Sequence, residues 1–460
     1  VSDPHVRGEP AEDPRLTPAR KAVYGTGDFT VNTVLASLSI VYVTYFLTQV
    51  AGLRPELAGA VQLIGRSIDA FTDPAMGRIS DLCRWRLGRR RPFFLIGAIP
   101  FGLAYALLWL DVPSGQTGMF VYYTIVYIVL SLAMTVLSVP YLALQPEMAL
   151  GYDARTSLNT YRNAGSVLGV FAAIGVRPTA VALGGGPAGF TAAGAIFGAL
   201  MALPWFAVFA ATWERPEFRS RGAQMSLREG LRVVARHATF RQLVGLYLAG
   251  RVSMDLIGAM LILYFTHCLG RSEDFEIMML IFLSTVVLSL PGWLWVARHA
   301  DKSTIFIVGS VWWASANLLL LFITPDWPRW SLFVFAPVAG IGYAVVDLMP
   351  WSMLGEVVDE DDLETGERRE GLYNGFFTFL RKLAGTLAVA LALWILGAVG
   401  LTQGDEQSQT VKTAIRWLAS LGPSAFLLIA VWIARGYPLS RAAHARIVEQ
   451  LIARGRESPG

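Results

Sequence analysis

Charge is scarce in this chain. Lysine, arginine, aspartate and glutamate make up 16% of its 460 residues, where a soluble domain carries about 25%. Too few polar residues remain to cover a water-exposed surface, which excludes an ordinary soluble globule. Cysteine is scarce as well. Cys83 and Cys268 are the two in the sequence, expected on opposite sides of a membrane, so no disulfide framework is expected. Of five histidines, none forms a His-Glu-x-x-His pair or joins a nucleophile in an apolar run. Intramembrane hydrolase or transferase chemistry is therefore not expected, and the chain reads as a non-enzyme. Residues 1–21 lack the apolar core of a cleavable signal peptide, so the first span is expected to act as its own insertion signal.

What abounds is hydrophobic sequence, 54% of the chain. It comes in runs of about 20 residues, the length a helix needs to cross a hydrocarbon layer of about 30 Å. Twelve runs fall near 22–49, 56–79, 92–111, 117–145, 160–182, 188–212, 241–268, 275–297, 304–323, 330–357, 371–400 and 412–434. Arginines gather in alternate connections: RWRLGRRRPF after the second run, the stretch from Arg215 to Arg236 after the sixth, and the tail from Arg435. The opposite loops hold isolated residues such as Arg54, Arg177, Arg271 and Arg329. The positive-inside rule then places both termini in the cytoplasm.

The expected architecture is all-α. It comprises a cytoplasmic tail 1–21, a bundle 22–212, a cytoplasmic linker 213–240, a bundle 241–434 and a cytoplasmic tail 435–460. In the linker, SLREGLRVVARH reads as an amphipathic helix on the membrane surface, either a latch between halves or a plain connection. The net charge of +4 follows from the arginine loops, and no nucleic acid partner is expected.

The two halves echo each other. GRISD ends at Asp81 and ARHAD ends at Asp301, 220 residues later. RNAGSV begins at Arg162 and KLAGTL at Lys382, again 220 residues later. VPYLAL with Pro140 returns as MPWSML with Pro350, 210 residues on. Two similar six-helix halves imply a solute site at their interface near the midplane, reached alternately from each side.

An ionisable side chain in the bilayer core costs at least about 2.5 kcal/mol, so such residues are the functional candidates. GRSIDAFTDP in the second run sets Asp69 and Asp73 four apart on one helix face, with Arg66 and Thr72 beside them. Two carboxylates so placed repel unless a cation or proton intervenes, which points to coupling with Na⁺ or H⁺. The alternative is a structural ion pair with Arg66 or another basic residue. Asp28 and Arg162 either bind solute directly or form a gate salt bridge. Lys382 either balances the acid pair or snorkels to the interface. Arg251, four before Asp255, reads as a local ion pair. Asp347, Trp351 and Tyr141 are candidates for a cavity wall, with lipid-facing packing as the alternative for the two rings. Glu147, Glu356, Asp359, Glu360, Asp361 and Asp362, at the arginine-rich ends, are expected either to bridge the halves or to be simply solvated.

The segment RSIDAFTDPAMGRISDLCRWRLGRRRPF joins the acid pair to a loop of Gly77, Arg78, Asp81, Gly88, Arg89 and Arg90, partly echoed at Arg298 and Asp301. With DEDDLETGERREGLYNGFFTFLRKLAG it resembles the glycoside–pentoside–hexuronide:cation symporters of the major facilitator superfamily, over about residues 20–435. The resemblance implies twelve transmembrane helices in two pseudo-symmetric six-helix bundles. It implies symport of a sugar or glycoside with Na⁺ or H⁺ across the cytoplasmic (inner) membrane by alternating access, in a monomer without cofactor. A cation site is implied at Asp69, Thr72, Asp73 and Thr135, with Lys382 and Arg66 as coupling residues. Substrate contacts are implied at Asp28 and Arg162, with Ser138, Tyr141, Asp347 and Trp351 completing the candidate set.

Three positions depart from the sugar carriers. Ser138 stands where they have an acid, Leu142 where they have a tryptophan, and Gly27 where they have a lysine. VPYLAL is also similar to the sodium-dependent lysophospholipid carriers, so a lysophospholipid or other amphiphile is the second substrate class. A channel, or a sensor that binds without transport, is the remaining alternative.

Overall fold

The structure, a computed structural model, describes residues 13–38, 42–149, 152–215, 227–367, 369–404 and 406–457. The linker arginines Arg219 and Arg221 lie outside them. The chain divides into two compact units, Val1–Gly222 and Ala223–Gly460.

Among the described residues, each of the twelve apolar runs contains a long helix. Unit 1 holds α1 (Pro18–Ala36), α2 (Pro55–Leu82), α3 (Pro92–Leu108), α4 (Gln116–Met148), α5 (Tyr152–Ile174) and α6 (Gly186–Ala211). Unit 2 holds α7 (Ala238–Leu263), α8 (Phe275–Val296), α9 (Lys302–Leu319), α10 (Trp330–Thr365), α11 (Glu370–Ala398) and α12 (Gln409–Ala434). Local chemistry sets several starts. Pro18, Pro55 and Pro92 occupy first-turn positions where no N–H is needed, and Ser408 caps α12 by accepting the Val411 N–H at 3.3 Å.

Among the described residues, eight helical segments are long and apolar enough to cross a membrane on length and composition alone. The other expected spans depart for visible reasons. α2 carries Arg66, Asp69 and Asp73 in its middle. α3 is apolar but spans 17 residues, and α9, of 18 residues, carries Lys302 and Asn317 among its apolar side chains. The first run is divided between α1 and a π-helical turn at Phe46–Val50, and α7 likewise ends in a π-helical turn at Tyr264–Leu269. Large apolar side chains stay on the outside of these helices, including Leu288 at 78% and Trp432 at 74% exposure. Hydrocarbon rather than water suits such a surface.

The repeat is visible in the packing. In unit 1, α1 packs on α5 and α6, α2 on α4, and α3 on α4 and α6. In unit 2, α7 packs on α11 and α12, α8 on α10, and α9 on α10 and α12. Every pair recurs six helices later, so the two units have one architecture.

Three boundaries differ from the sequence reading. α5 starts at Tyr152 rather than near 160, ends at Ile174, and is followed by a short helix Val176–Ala182. α10 runs two turns past 357, stopping where Gly366 takes φ +75°. The tail beyond 435 contains a helix, Arg441–Glu457, whose first turn is capped by the Ser440 hydroxyl accepting the Ala443 N–H at 3.2 Å. The linker helix is present at Leu227–Arg236.

Candidate functional site

Three rungs join α2 to α4. The Arg66 Nε donates to the Tyr127 hydroxyl at 3.2 Å. The Ser131 hydroxyl donates to the Asp69 carboxylate, and the Thr135 hydroxyl donates to Asp73 at 2.7 Å. The spacing on each helix explains the ladder. Tyr127, Ser131 and Thr135 are each four apart, one turn along α4, and meet residues one turn apart along α2.

Asp69 is 2% exposed, Asp73 half-buried. Thr72 gives its hydroxyl hydrogen to the Ile68 carbonyl at 3.1 Å, which leaves its oxygen as an acceptor. The donor set is therefore all oxygen: two carboxylates and nearby hydroxyls. Hard oxygens of this kind suit Na⁺, and the same carboxylates suit H⁺. Ser131 was missed in the sequence reading. Its signal was available, because it lies one turn before Thr135 just as Asp69 lies one turn before Asp73.

A second cluster joins α1, α4 and α5. Arg162 binds Asp28 through Nε at 2.6 Å and Nη2 at 3.2 Å. The Tyr141 hydroxyl lies 2.7 Å from the same carboxylate and 2.8 Å from the Tyr24 carbonyl. Arg162 Nη1 also reaches Gln145 and, at 3.3 Å, Asn159. Tyr24 stacks on Tyr141 with ring centroids 4.3 Å apart. The guanidinium charge is thus matched by Asp28, and most of its donors are in use. Gly27 has a definite role here: a Cβ at that position would come within 2.7 Å of the Tyr141 ring. Its lack of a side chain admits the ring that orients Asp28.

Tyr141 corrects an expectation. It is 1% exposed, so it faces neither lipid nor an open cavity in this state, and it positions Asp28 instead. Ser138 is half-buried and joins no hydrogen bond among the described residues.

In unit 2, Asp347 and Trp351 lie one turn apart on α10. Trp351 is half-buried, set edge-on to Phe377 at 5.0 Å and Tyr247 at 5.9 Å, while those two rings stack at 4.0 Å. Trp351 is therefore braced by aromatic rings rather than packed only against lipid. The Asp347 side chain is 47% exposed. Arg251 and Asp255 form the expected i,i+4 pair, at 3.0 and 2.5 Å. Lys382 is half-buried on α11.

The arginine-rich loop of unit 1 is tied down from within that unit. Gly88 takes φ +113°, and the next three N–H groups, of Arg89, Arg90 and Arg91, all donate to the Glu214 carboxylate at 2.9, 2.8 and 2.9 Å. These are the orphan donors ahead of α3, where a negative charge is favoured. Arg90 bridges Asp81 at 2.7 Å and Glu147 at 2.5 Å, and Arg89 also meets Glu147. Gly77 is uncrowded, and the Arg78 side chain is exposed outside this network.

The unit 2 echo differs. Asp301 accepts the Arg441 N–H at 2.8 Å, and Arg298 contributes its carbonyl rather than its guanidinium. Both serve the C-terminal helix. Lys302 takes the role of Arg90, bridging Glu356 at 2.8 Å.

Several of the acids at the arginine-rich helix ends have partners within their own units. Glu147 pairs inside unit 1. In unit 2, Glu356 meets Lys302, Asp359 meets His444 at 3.0 Å, Glu360 lies 3.8 Å from His237, and Asp361 lies 3.7 Å from Arg369.

Ahead of α1, Asp13 meets Arg215 at 2.5 Å and is held down at about 2 by its hydrogen bonds to Arg15 and the Arg215 charge. The Arg15 and Arg20 guanidiniums lie 4.8 and 5.5 Å from the Trp213 ring centre.

Residues 23–441 match the family described as MFS/sugar transport protein, and the chain belongs to that family. It is an integral membrane transporter of the major facilitator fold and not an enzyme. Among its relatives is the inner membrane symporter YicJ of Escherichia coli, 28% identical over 95% of both chains. Another is the sodium-dependent lysophosphatidylcholine symporter 1-A of Danio rerio, 25% identical over 90% of this chain and 85% of that one. The nucleoside transporter NupG superposes with a TM-score of 0.63 at 14% identity, covering 89% of this chain and 99% of NupG, which shows the shared fold.

Proposed function

We propose that this transporter is a cation-coupled symporter that carries a sugar or glycoside across the cytoplasmic membrane by alternating access, as a monomer with both termini in the cytoplasm. The observation that carries the reading is the pair of rungs Asp69–Ser131 and Asp73–Thr135. Two carboxylates one turn apart repel when both are ionised, and Na⁺ or H⁺ between them removes that repulsion. Ser131 and Thr135 each orient one carboxylate, so the cation finds its oxygens in place. Arg66 and Lys382 are the coupling cations in this reading, and Asp28, Arg162, Asp347 and Trp351 meet the solute.

The matched charge of Arg162 supports a neutral, hydroxyl-bearing solute. A phosphate would have to displace Asp28 to use the guanidinium in full, whereas sugar hydroxyls can donate to Asp28 and accept from the donor Arg162 has left. The family description, which includes sugar transport, agrees. A lysophospholipid is the second reading, favoured by the zebrafish relative.

The test is uptake of labelled sugars and lysophospholipids into liposomes holding the purified protein, under an imposed Na⁺ or H⁺ gradient. Accumulation that collapses with the gradient identifies a symporter, its solute and its ion. Equilibration without accumulation would make the protein a uniporter or channel, and binding without flux would make it a sensor.

A further inference from the structure

Two rungs cross α7, α10 and α11, one helical turn apart. The first is aromatic. Tyr247 stacks on Phe377 with ring centroids 4.0 Å apart, and Trp351 stands edge-on to Phe377 at 5.0 Å and to Tyr247 at 5.9 Å. The second is charged, and each member lies one turn from a ring: Arg251 after Tyr247, Asp347 before Trp351 and Arg381 after Phe377. Helix direction puts all three on one level. α11 begins shortly after α10 ends and runs back against it. The contacts Tyr247–Trp351 and Arg251–Asp347 show that α7 also runs against α10. Each charge is therefore displaced from its ring by about 6 Å in the same direction. The buried Tyr247 hydroxyl feels Arg381, Asp347 and Arg251 together, as this placement requires.

The charges of the second rung are unequally engaged. Arg251 gives Nε and Nη2 to Asp255 at 3.0 and 2.5 Å, and its Nη1 stays 3.9 Å from Asp347, beyond hydrogen-bond distance. That leaves Arg381 and Asp347. No ion pair joins them among the described residues. Arg381 is half-buried, and the Asp347 side chain is 47% exposed. Arg381 lies about three turns, roughly 16 Å, into α11, deeper than an arginine that snorkels from a helix end. Charges at that depth are costly against hydrocarbon, so the surface these two share is one that meets water or a polar solute.

We infer that Arg381 is a solute contact, and that Arg381 and Asp347 are the two arms of a hydroxyl clamp. A solute hydroxyl accepts from the Arg381 guanidinium and donates to the Asp347 carboxylate. The inference rests on the symporter reading and adds to it a residue and a solute shape. A guanidinium and a carboxylate held apart offer both hydrogen-bond senses at once, which hydroxyls can use and a group of one charge cannot. The rings argue against the other solute with two senses, a zwitterion bearing a quaternary ammonium, because such a cation is recognised by a cage of ring faces. Phe377 and Tyr247 are 0% and 1% exposed and stacked on each other, so only the half-buried Trp351 has ring surface left. A single ring is a platform and not a cage. The apolar face of a sugar ring fits it, with hydroxyls reaching one turn along to Arg381 and Asp347.

The first test uses the wild-type protein in liposomes. Phenylglyoxal, which modifies accessible guanidiniums, is applied alone, with saturating methyl glycosides of glucose, galactose and xylose, or with lysophosphatidylcholine. Mass spectrometry maps the adducts. Arg381 is expected to be modified without solute and protected several-fold by at least one glycoside, while the exposed Arg78 is modified equally throughout. An Arg381 that is unreactive without solute, or protected only by the lysolipid, overturns the inference. So does an Arg381 left unprotected by a sugar that the protein accumulates, and in that outcome the symporter reading stands while the clamp fails. Protection by a glycoside without accumulation keeps the clamp and removes the symporter. Neither protection nor accumulation with any sugar removes both. The second test is Arg381→Gln, which separates a contact from a structural role. The KM for the accumulated sugar is expected to rise about tenfold or more, with melting temperature and apparent cation affinity retained, and Arg381→Lys is expected to recover part of the loss. An unchanged KM, or a rise that comes with a lower melting temperature and weaker cation affinity, overturns the inference.

Discussion

The Thr135 hydroxyl on α4 donates to the Asp73 carboxylate on α2 across 2.7 Å, one turn from the matching contact of Ser131 with Asp69. A hydrogen bond to a charged group contributes about 1.5–3 kcal/mol. Thr135→Ala is therefore expected to weaken apparent cation affinity roughly tenfold or more, while Thr135→Ser retains it. The cation dependence of uptake measures this. Asp73→Asn is expected to abolish concentrative uptake and leave some exchange or binding. Normal accumulation in that variant would remove Asp73 from the mechanism.

Asp28 and Arg162 are 14% and 15% exposed as side chains. Removing one partner of such a buried pair costs roughly 3 kcal/mol because the other charge is left unmatched. Asp28→Asn is expected to lower the melting temperature and abolish solute binding. The double variant Asp28→Asn/Arg162→Gln should regain much of the stability and none of the binding. A double variant as unstable as the single one would show that the pair is not the source of the loss.

Gly88 carries φ +113° and has the Glu214 carboxylate 2.5 Å from its would-be Cβ. Gly88→Ala meets both backbone strain and a clash, at a cost of about 1–3 kcal/mol. A drop in thermal stability is expected, accompanied by faster amide exchange at Arg89, Arg90 and Arg91, whose N–H groups Glu214 holds. Unchanged exchange at these three amides would argue against the clasp.

Asp13 has its carboxyl lowered from 3.8 to about 2. A depressed carboxyl stabilises the fold above its unfolded pKa, and that contribution is lost as pH falls through the folded value. The contact of Asp13 with Arg15 and Arg215 is thus expected to hold above about pH 4 and to fail progressively towards pH 2. Trp213 fluorescence, compared with Asp13→Asn, reports it. A wild-type signal flat across that window, with the variant identical, would count against the contact.

Much of this protein was legible before any coordinates. The scarcity of charge and the length of the apolar runs determined a membrane-spanning all-α chain, because hydrocarbon demands about 20 apolar residues per crossing. The offsets between Asp81 and Asp301, and between Arg162 and Lys382, determined the repeat. The turn of separation between Asp69 and Asp73 fixed one face of α2, since helical geometry is local. What the tertiary structure alone decided was which side chains meet across helices. It placed Ser131 on Asp69, buried Tyr141 against Asp28 through the gap left by Gly27, and gave Glu214 to three consecutive amides. It also paired Glu147 with Arg89 and Arg90, and Glu356 with Lys302. Such contacts depend on the rotation of each helix about its axis and on the closeness of its neighbour. The packing of whole faces determines both, and no short stretch of sequence records them.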